Sequence, residues 1–189
     1  EGPSDSEPRC VPDGQWVLFT RTDEREGPSL RRGAGGGGEA RRLFAHAEAG
    51  DVSPDGREVA ILRLVRRDSH TLALLVAPVS GGAEREVVRF DTIVWSPRWS
   101  PDGGTIALSE EGSAQSGIPG SVVLVSREGK IRRIPLPRSS RLPTSVAWLG
   151  GGDALLVGVF DGTVPQARTV GLDVFRLPTE GGDAEAVGW

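Results

Sequence analysis

The tripeptide Pro-Asp-Gly occurs three times, at Pro12-Asp13-Gly14, Pro54-Asp55-Gly56 and Pro101-Asp102-Gly103, and it limits what this chain can fold into more than any other feature. A degenerate fourth copy is Trp148-Leu149-Gly150-Gly151-Gly152, in which Gly151 stands where Asp102 stands. The steps between copies are 42, 47 and 49 residues. In each full copy proline presets φ at the second turn position and aspartate accepts the third. Glycine then takes the left-handed conformation that a tight antiparallel reversal needs. An apolar run follows every copy: Trp16-Val17-Leu18-Phe19, Val59-Ala60-Ile61-Leu62, Ile106-Ala107-Leu108 and Ala154-Leu155-Leu156-Val157.

A second landmark follows at a steady offset. Gly37-Gly38, Gly81-Gly82, Glu128-Gly129 and Gly181-Gly182 end 25, 27, 27 and 31 residues after Asp13 and its equivalents. Apolar segments such as Leu72 to Val76 and Val122 to Val125 precede these pairs, and shorter runs such as Glu86-Val87-Val88 come after them. Each unit therefore reads strand, turn, strand, loop, strand, Gly turn, strand. Four-stranded units of this period in series predict an all-β β-propeller of antiparallel blades. The four visible repeats are placed at 9–50, 51–97, 98–146 and 147–189, with 1–8 as a linker or the tail of a preceding blade. Much of the glycine and proline, 27 and 14 residues, is then turn punctuation.

The stretch from Trp95 through Ser96-Pro97-Arg98-Trp99-Ser100-Pro101-Asp102-Gly103 to Leu108 resembles the WD40-like repeat of TolB-type β-propellers. Asp51 to Ala60 and Val11 to Phe19 are similar to the same pattern, and the likeness covers most of 9–189. The resemblance implies propellers of about six blades whose loops on one face open onto a central channel. Such propellers occur as periplasmic TolB, as sensor domains of bacterial membrane proteins, and as the non-catalytic propeller of prolyl-oligopeptidase-like enzymes. A periplasmic or extracytoplasmic setting is what the resemblance implies. With four units and no methionine, the chain is expected to be part of a longer one, its ring incomplete, and to associate with missing blades or with a second copy.

Chemistry-bearing motifs are few. Gly33 to Gly38 matches the dinucleotide fingerprint G-x-G-x-x-G, but Ser29-Leu30-Arg31-Arg32 before it is not a buried strand, and the glycines sit at the Gly-turn position. His46 and His70 are the only histidines and belong to different units. Neither has metal-ligand spacing or a triad context, and no G-x-S-x-G elbow occurs. Cys10 is the only cysteine, which excludes an internal disulfide and a cysteine-based zinc cluster. No catalytic residue, metal or cofactor is expected. A net charge of −4 argues against nucleic acid, and no apolar run is long enough to insert in a membrane. A single lysine, Lys130, stands against 21 arginines, so arginine abundance alone is weak evidence for any ligand.

Repeat-equivalent Asp13, Asp55 and Asp102, with Pro12, Gly14, Pro54, Gly56, Pro101 and Gly103, are read as structural turns, and Trp95, Trp99 and Trp148 as blade-packing aromatics. Specificity is left to the irregular loops, where repeat proteins place it. By the strand order that the resemblance implies, those after the second and fourth strands of each unit share the end opposite Pro-Asp-Gly. The candidate binding residues there are Asp23, Arg25, Arg66, Arg67, Asp68, His70, Glu110, Glu111, Arg138, Arg141 and Asp161. Their mixed signs suit a protein or peptide partner. The expected function is a non-catalytic binding or sensor propeller. The alternative is the substrate-gating propeller of a prolyl-oligopeptidase-like serine peptidase whose catalytic domain lies outside this chain.

Overall fold

A computed structural model describes residues 2–66, 68, 70–113, 117–137, 142–160 and 172–187. Two compact units, 1–91 and 92–189, divide the chain. The first holds β1 (Ser4–Cys10), β2 (Trp16–Asp23), β3 (Gly27–Ala34) and β4 (Arg41–Ala45) in one sheet, and β5 (Ala49–Val52), β6 (Glu58–Arg66), β7 (Thr71–Pro78) and β8 (Arg85–Phe90) in another. The second holds β9 (Val94–Trp99), β10 (Thr105–Glu110), β11 (Ser121–Ser126) and β12 (Ile131–Pro135), then β13 (Leu142–Trp148), β14 (Ala154–Phe160), β15 (Leu172–Pro178) and β16 (Glu185–Ala186). Each sheet is four-stranded, antiparallel and ordered as in the chain, which makes the four sheets blades of the β-propeller class. Among the described residues no helix is long and apolar enough to cross a membrane.

The four Pro-Asp-Gly positions form the same hairpin. The amides of Gly14, Gly56, Gly103 and Gly152 donate to the carbonyls of Val11, Ser53, Ser100 and Leu149 at 2.8–2.9 Å. All four glycines have φ between 68° and 76°, a region costly for a residue with a Cβ. At the Gly turns, Gly81 and Gly82 have φ of 89° and 135°, and Gly37-Gly38 and Gly181-Gly182 are likewise left-handed. The G-x-G-x-x-G segment thus ends strand β3 and turns into strand β4.

Each unit has its own core between its two blades. In the first, Leu18, Leu30 and Phe44 of one sheet meet Val59, Ile61, Ala73 and Leu75 of the next. In the second, Ala107, Val122 and Ile134 meet Val146, Leu155, Val157 and Leu177. Ile61, Leu155 and Leu177 are fully buried, each worth about 1.5–3 kcal/mol relative to exposure.

The first sheet begins at Ser4, inside the stretch 1–8 expected as a linker or the tail of a preceding blade. Its outer residues lack apolar alternation and are exposed. Pairing holds them instead: Asp5 lies opposite Arg21, whose Nε and Nη2 donate to its carboxylate at 2.6 Å. Between Ser6 and Arg9 the strand carries a β-bulge with Glu7 at φ 50°, and between Trp95 and Arg98 β9 carries its counterpart with Ser96 at φ 53°. Arg9 and Arg98 both turn back to donate to the preceding proline carbonyl. The matching signal in the sequence is the spacing of Pro8 to Pro12 and Pro97 to Pro101.

Candidate functional site

The turn aspartates act locally. Asp13, Asp55 and Asp102 accept from the amides of Gln15, Arg57 and Gly104 at 2.9–3.1 Å. In two copies a serine completes the turn: Ser53 and Ser100 donate to Asp55 and Asp102 at 2.6 and 2.5 Å, and accept from the amides of Glu58 and Thr105 at 2.9 Å. Hydrogen bonds from Ser100 and from the Gly104 amide hold the Asp102 carboxyl below the usual range. These carboxylates are engaged in holding the hairpin.

At the opposite end of the sheets lie the loops. In the first unit the β2–β3 loop is short, because the strands pair as far as Asp23 and Gly27. Asp23 accepts from the amides of Arg25 and Glu26 at 2.8 and 3.1 Å, and those bonds lower its pKa. Gly27, at φ 74°, completes the reversal. Arg25 is exposed, and beyond it Glu26 pairs with Arg42 at 2.9 Å. In the next blade Arg66, Asp68 and His70 are all exposed around the β6–β7 reversal, with His70 at φ 52°. His46 is also left-handed, and its carbonyl accepts from Nε of Arg63, which pairs with Glu84 as well. Arg63 thereby fastens the connection between the two blades.

The second unit is different. Glu110 ends β10 with its side chain only 8% exposed, and four donors reach it. Thr92 Oγ1 and Ser121 Oγ donate at 2.7 and 2.6 Å; Arg133 Nε and Nη2 donate at 2.8 and 3.0 Å. Burial pushes this carboxyl up, but the bonds from Arg133, Ser121 and Thr92 outweigh it and leave the pKa below its ordinary value. Glu110, expected as a contact for a partner, is an internal strut joining β9's approach, β11 and β12. Glu111 is half-buried, and its amide donates to the Ile93 carbonyl at 2.9 Å. Beyond it, reciprocal backbone bonds between Ser113 and Ile118 at 2.9 and 3.0 Å pin the loop and leave the Ile118 side chain 58% exposed. Arg67, Arg138, Arg141 and Asp161 lie outside the described residues.

One aromatic departs from expectation. Trp99 is buried under Arg127, whose guanidinium lies 4.9 Å from the ring centroid, and Trp148 Nε1 donates to the Arg98 carbonyl at 3.0 Å. Trp95, read as a packing residue, is 48% exposed. The bulge at Ser96-Pro97 re-aims it, as extra residues in edge strands do. Among the described residues no three His, Cys, Asp or Glu side chains are grouped as metal ligands.

Several solved structures have this architecture. TolB from Acinetobacter baumannii has a TM-score of 0.71 at 12% identity, over 97% of this chain and 43% of that one. The β-propeller domain of the Trilobed protease from Pyrococcus furiosus has a TM-score of 0.66 at 17% identity, over 100% and 58%. The Pyrococcus horikoshii acylaminoacyl peptidase has 0.65 at 16%, over 99% and 32%. The chain therefore spans from about a third to somewhat over half of these proteins. At such identities the likeness is one of fold, the β-propeller that TolB and these peptidase propellers share. No protein-family model and no curated protein matches the sequence.

Proposed function

We propose that the chain is a non-catalytic binding module that receives a protein or peptide partner on the loop ends of its blades. One observation carries this reading. Five large apolar side chains are exposed among the described residues, and four of them, Val65, Trp95, Ile118 and Leu142, lie at the loop ends of their sheets. Only Ile131 lies at the turn end. Scattered exposed hydrophobics are ordinary, but in the second unit Trp95, Ile118 and Leu142 all lie at the loop ends of its two sheets, and in the first unit Val65 lies beside the exposed Arg66 and Asp68, the composition of apolar contacts with a polar rim. TolB-like propellers, which share the fold, are consistent with a protein partner.

The test is a displayed-peptide library selected on the full chain, with affinities of the selected peptides measured by calorimetry. Trp95→Ala and Ile118→Ser should each weaken binding at least tenfold, as central aromatic and apolar contacts do. Asp13→Ala, at the other end, should leave it unchanged. Equal affinity in all three variants would overturn the assignment. So would turnover of a peptidyl or glycosidic substrate that is lost when His46 or His70 is replaced.

The likeness to the Trilobed protease propeller favours a second reading, in which the same module gates access to a serine peptidase domain. A downstream α/β-hydrolase segment with a nucleophile elbow in the same reading frame would decide for it.

A further inference from the structure

A cleft of about 310 Å³ opens at the turn end of the first unit, lined by Trp16, Arg32, Arg41, Leu43 and Val79 among others. Register explains its composition. Leu18 pairs with Arg32, and Arg32 pairs with Arg41, so both guanidinium groups stand on the sheet face that carries Leu18. That face packs against the next blade. Toward the turns the apolar core gives way to two cations. Arg32 lies over the Trp16 ring at 4.6 Å from its centroid, which fixes it in place. Arg41 has no ion pair or hydrogen bond among the described residues, and neither does Glu39 on the rim. Leu43 and Val79 are partly buried and supply an apolar wall.

The second unit contains the equivalent place, a cleft of about 220 Å³. There Thr105 stands for Trp16, Leu124 for Arg32, Arg132 for Arg41 and Thr179 for Val79, by the pairing of Ala107 with Leu124 and Leu124 with Arg132. Arg132 Nη2 donates to the Thr179 carbonyl, and Thr179 Oγ1 donates to the Asp153 carbonyl at 2.8 Å. The arginine of that unit is engaged within the protein. Its counterpart in the first unit, Arg41, keeps the position but makes no such bond to the Val79 carbonyl, and a second cation, Arg32, stands beside it.

We propose that the cleft of the first unit binds a small organic carboxylate, its anion held by Arg41 and Arg32 and its apolar body lying against Leu43 and Val79. Guanidinium forks match carboxylate geometry, and an arginine already fixed on an aromatic ring loses little freedom on binding. The site is separate from the loop-end surface, and Trp95→Ala should leave it intact.

The experiment follows the arginine Nε–H resonances of the full ¹⁵N-labelled chain by NMR during titration with benzoate, acetate and benzylammonium. Benzoate should shift Arg32 and Arg41 saturably, at least tenfold more tightly than acetate, while benzylammonium produces no shift at either residue. Arg41→Gln should weaken benzoate at least tenfold, and Arg132→Gln should not. Ser80→Asp, an exposed change on the lining that sets a competing anion at the cleft, should weaken it too and serves if Arg41→Gln does not fold. Absence of saturable shifts, unchanged affinity in Arg41→Gln or Ser80→Asp, or acetate or benzylammonium binding as tightly as benzoate would overturn the proposal.

Discussion

The two ends of these sheets are built on different principles. At the turn end four hairpins share one backbone, closed by the same pair of hydrogen bonds and the same left-handed glycine. At the loop end the described connections share no such hairpin. The β2–β3 connection is a tight reversal held by Asp23, whereas the β10–β11 connection is pinned by a Ser113–Ile118 bridge and braced by the buried carboxylate of Glu110. The hydrogen bonds within each Pro-Asp-Gly hairpin join residues at most five positions apart. At the loop end Glu110 instead reaches partners 11 to 23 residues away, Ser121, Thr92 and Arg133. Local codes can be copied from blade to blade, whereas non-local ones must be built for each blade. The loop end is therefore where a blade can differ without losing its architecture.

The largest expected effect falls on that non-local chemistry. Glu110→Ala leaves Thr92, Ser121 and Arg133 without their acceptor in a buried position. Removing one partner from a fully buried pair costs 3–5 kcal/mol, but the Arg133 side chain is 49% exposed and recovers water. A loss of about 2–3 kcal/mol is expected, read from the urea midpoint at constant m-value. The same network predicts a pH dependence. The folded-state pKa of Glu110 lies below its ordinary value of 4.5, so its contribution is complete above that value and is lost as pH falls through the lower, folded one. Wild type should destabilise more steeply below pH 4.5 than Glu110→Ala does; parallel acid curves would show that the carboxylate does not stabilise the fold through its charge.

Gly112→Ala probes the neighbouring loop. A Cβ there would stand 2.5 Å from the Gly120 amide nitrogen and the Ile118 carbonyl oxygen, both backbone atoms that cannot swing aside. Overpacking of this kind costs about 1–3 kcal/mol. The Ser113–Ile118 bridge should open, and amide exchange at Ile118 should accelerate while exchange at Gly56 and Gly103 stays as it was. Unaltered exchange at Ile118 would place the loop's order elsewhere than in this close approach.

The contrast also explains what could be read from the sequence. Pro-Asp-Gly, the apolar runs behind it and the glycine pairs are local, so four units and their strand order follow from residue types alone. The strand Ser4–Cys10 is not legible in the sequence because it has no apolar alternation and is held by pairing with β2, including Asp5 with Arg21. Glu110 reads in the sequence as a contact for a partner because the donors that engage it come from three separate segments. Trp95 looked like a core residue because nothing in its composition tells that Ser96 takes a positive φ. The cleft over Trp16 depends on Arg32 and Arg41 falling into register with Leu18, which only the paired sheet makes visible.

The smallest effects test whether the turn code is as local as the hairpins suggest. At Gly56 a Cβ would meet nothing within 4 Å, yet φ is +73°, so Gly56→Ala pays only the left-handed penalty, about 1 kcal/mol. The fourth copy offers the converse. Gly150 occupies the position filled by Pro12, Pro54 and Pro101, has open space around it, and sits in a hairpin closed by the same bonds between Leu149 and Gly152. Proline there removes no amide that the other three copies use, and it restricts the unfolded chain. Gly150→Pro should therefore stabilise by about 0.4–1 kcal/mol. A gain measured by urea titration would mean that the degenerate copy lost its proline without changing its backbone. Destabilisation would mean that the fourth hairpin relies on conformations at Gly150 that the other three do not share.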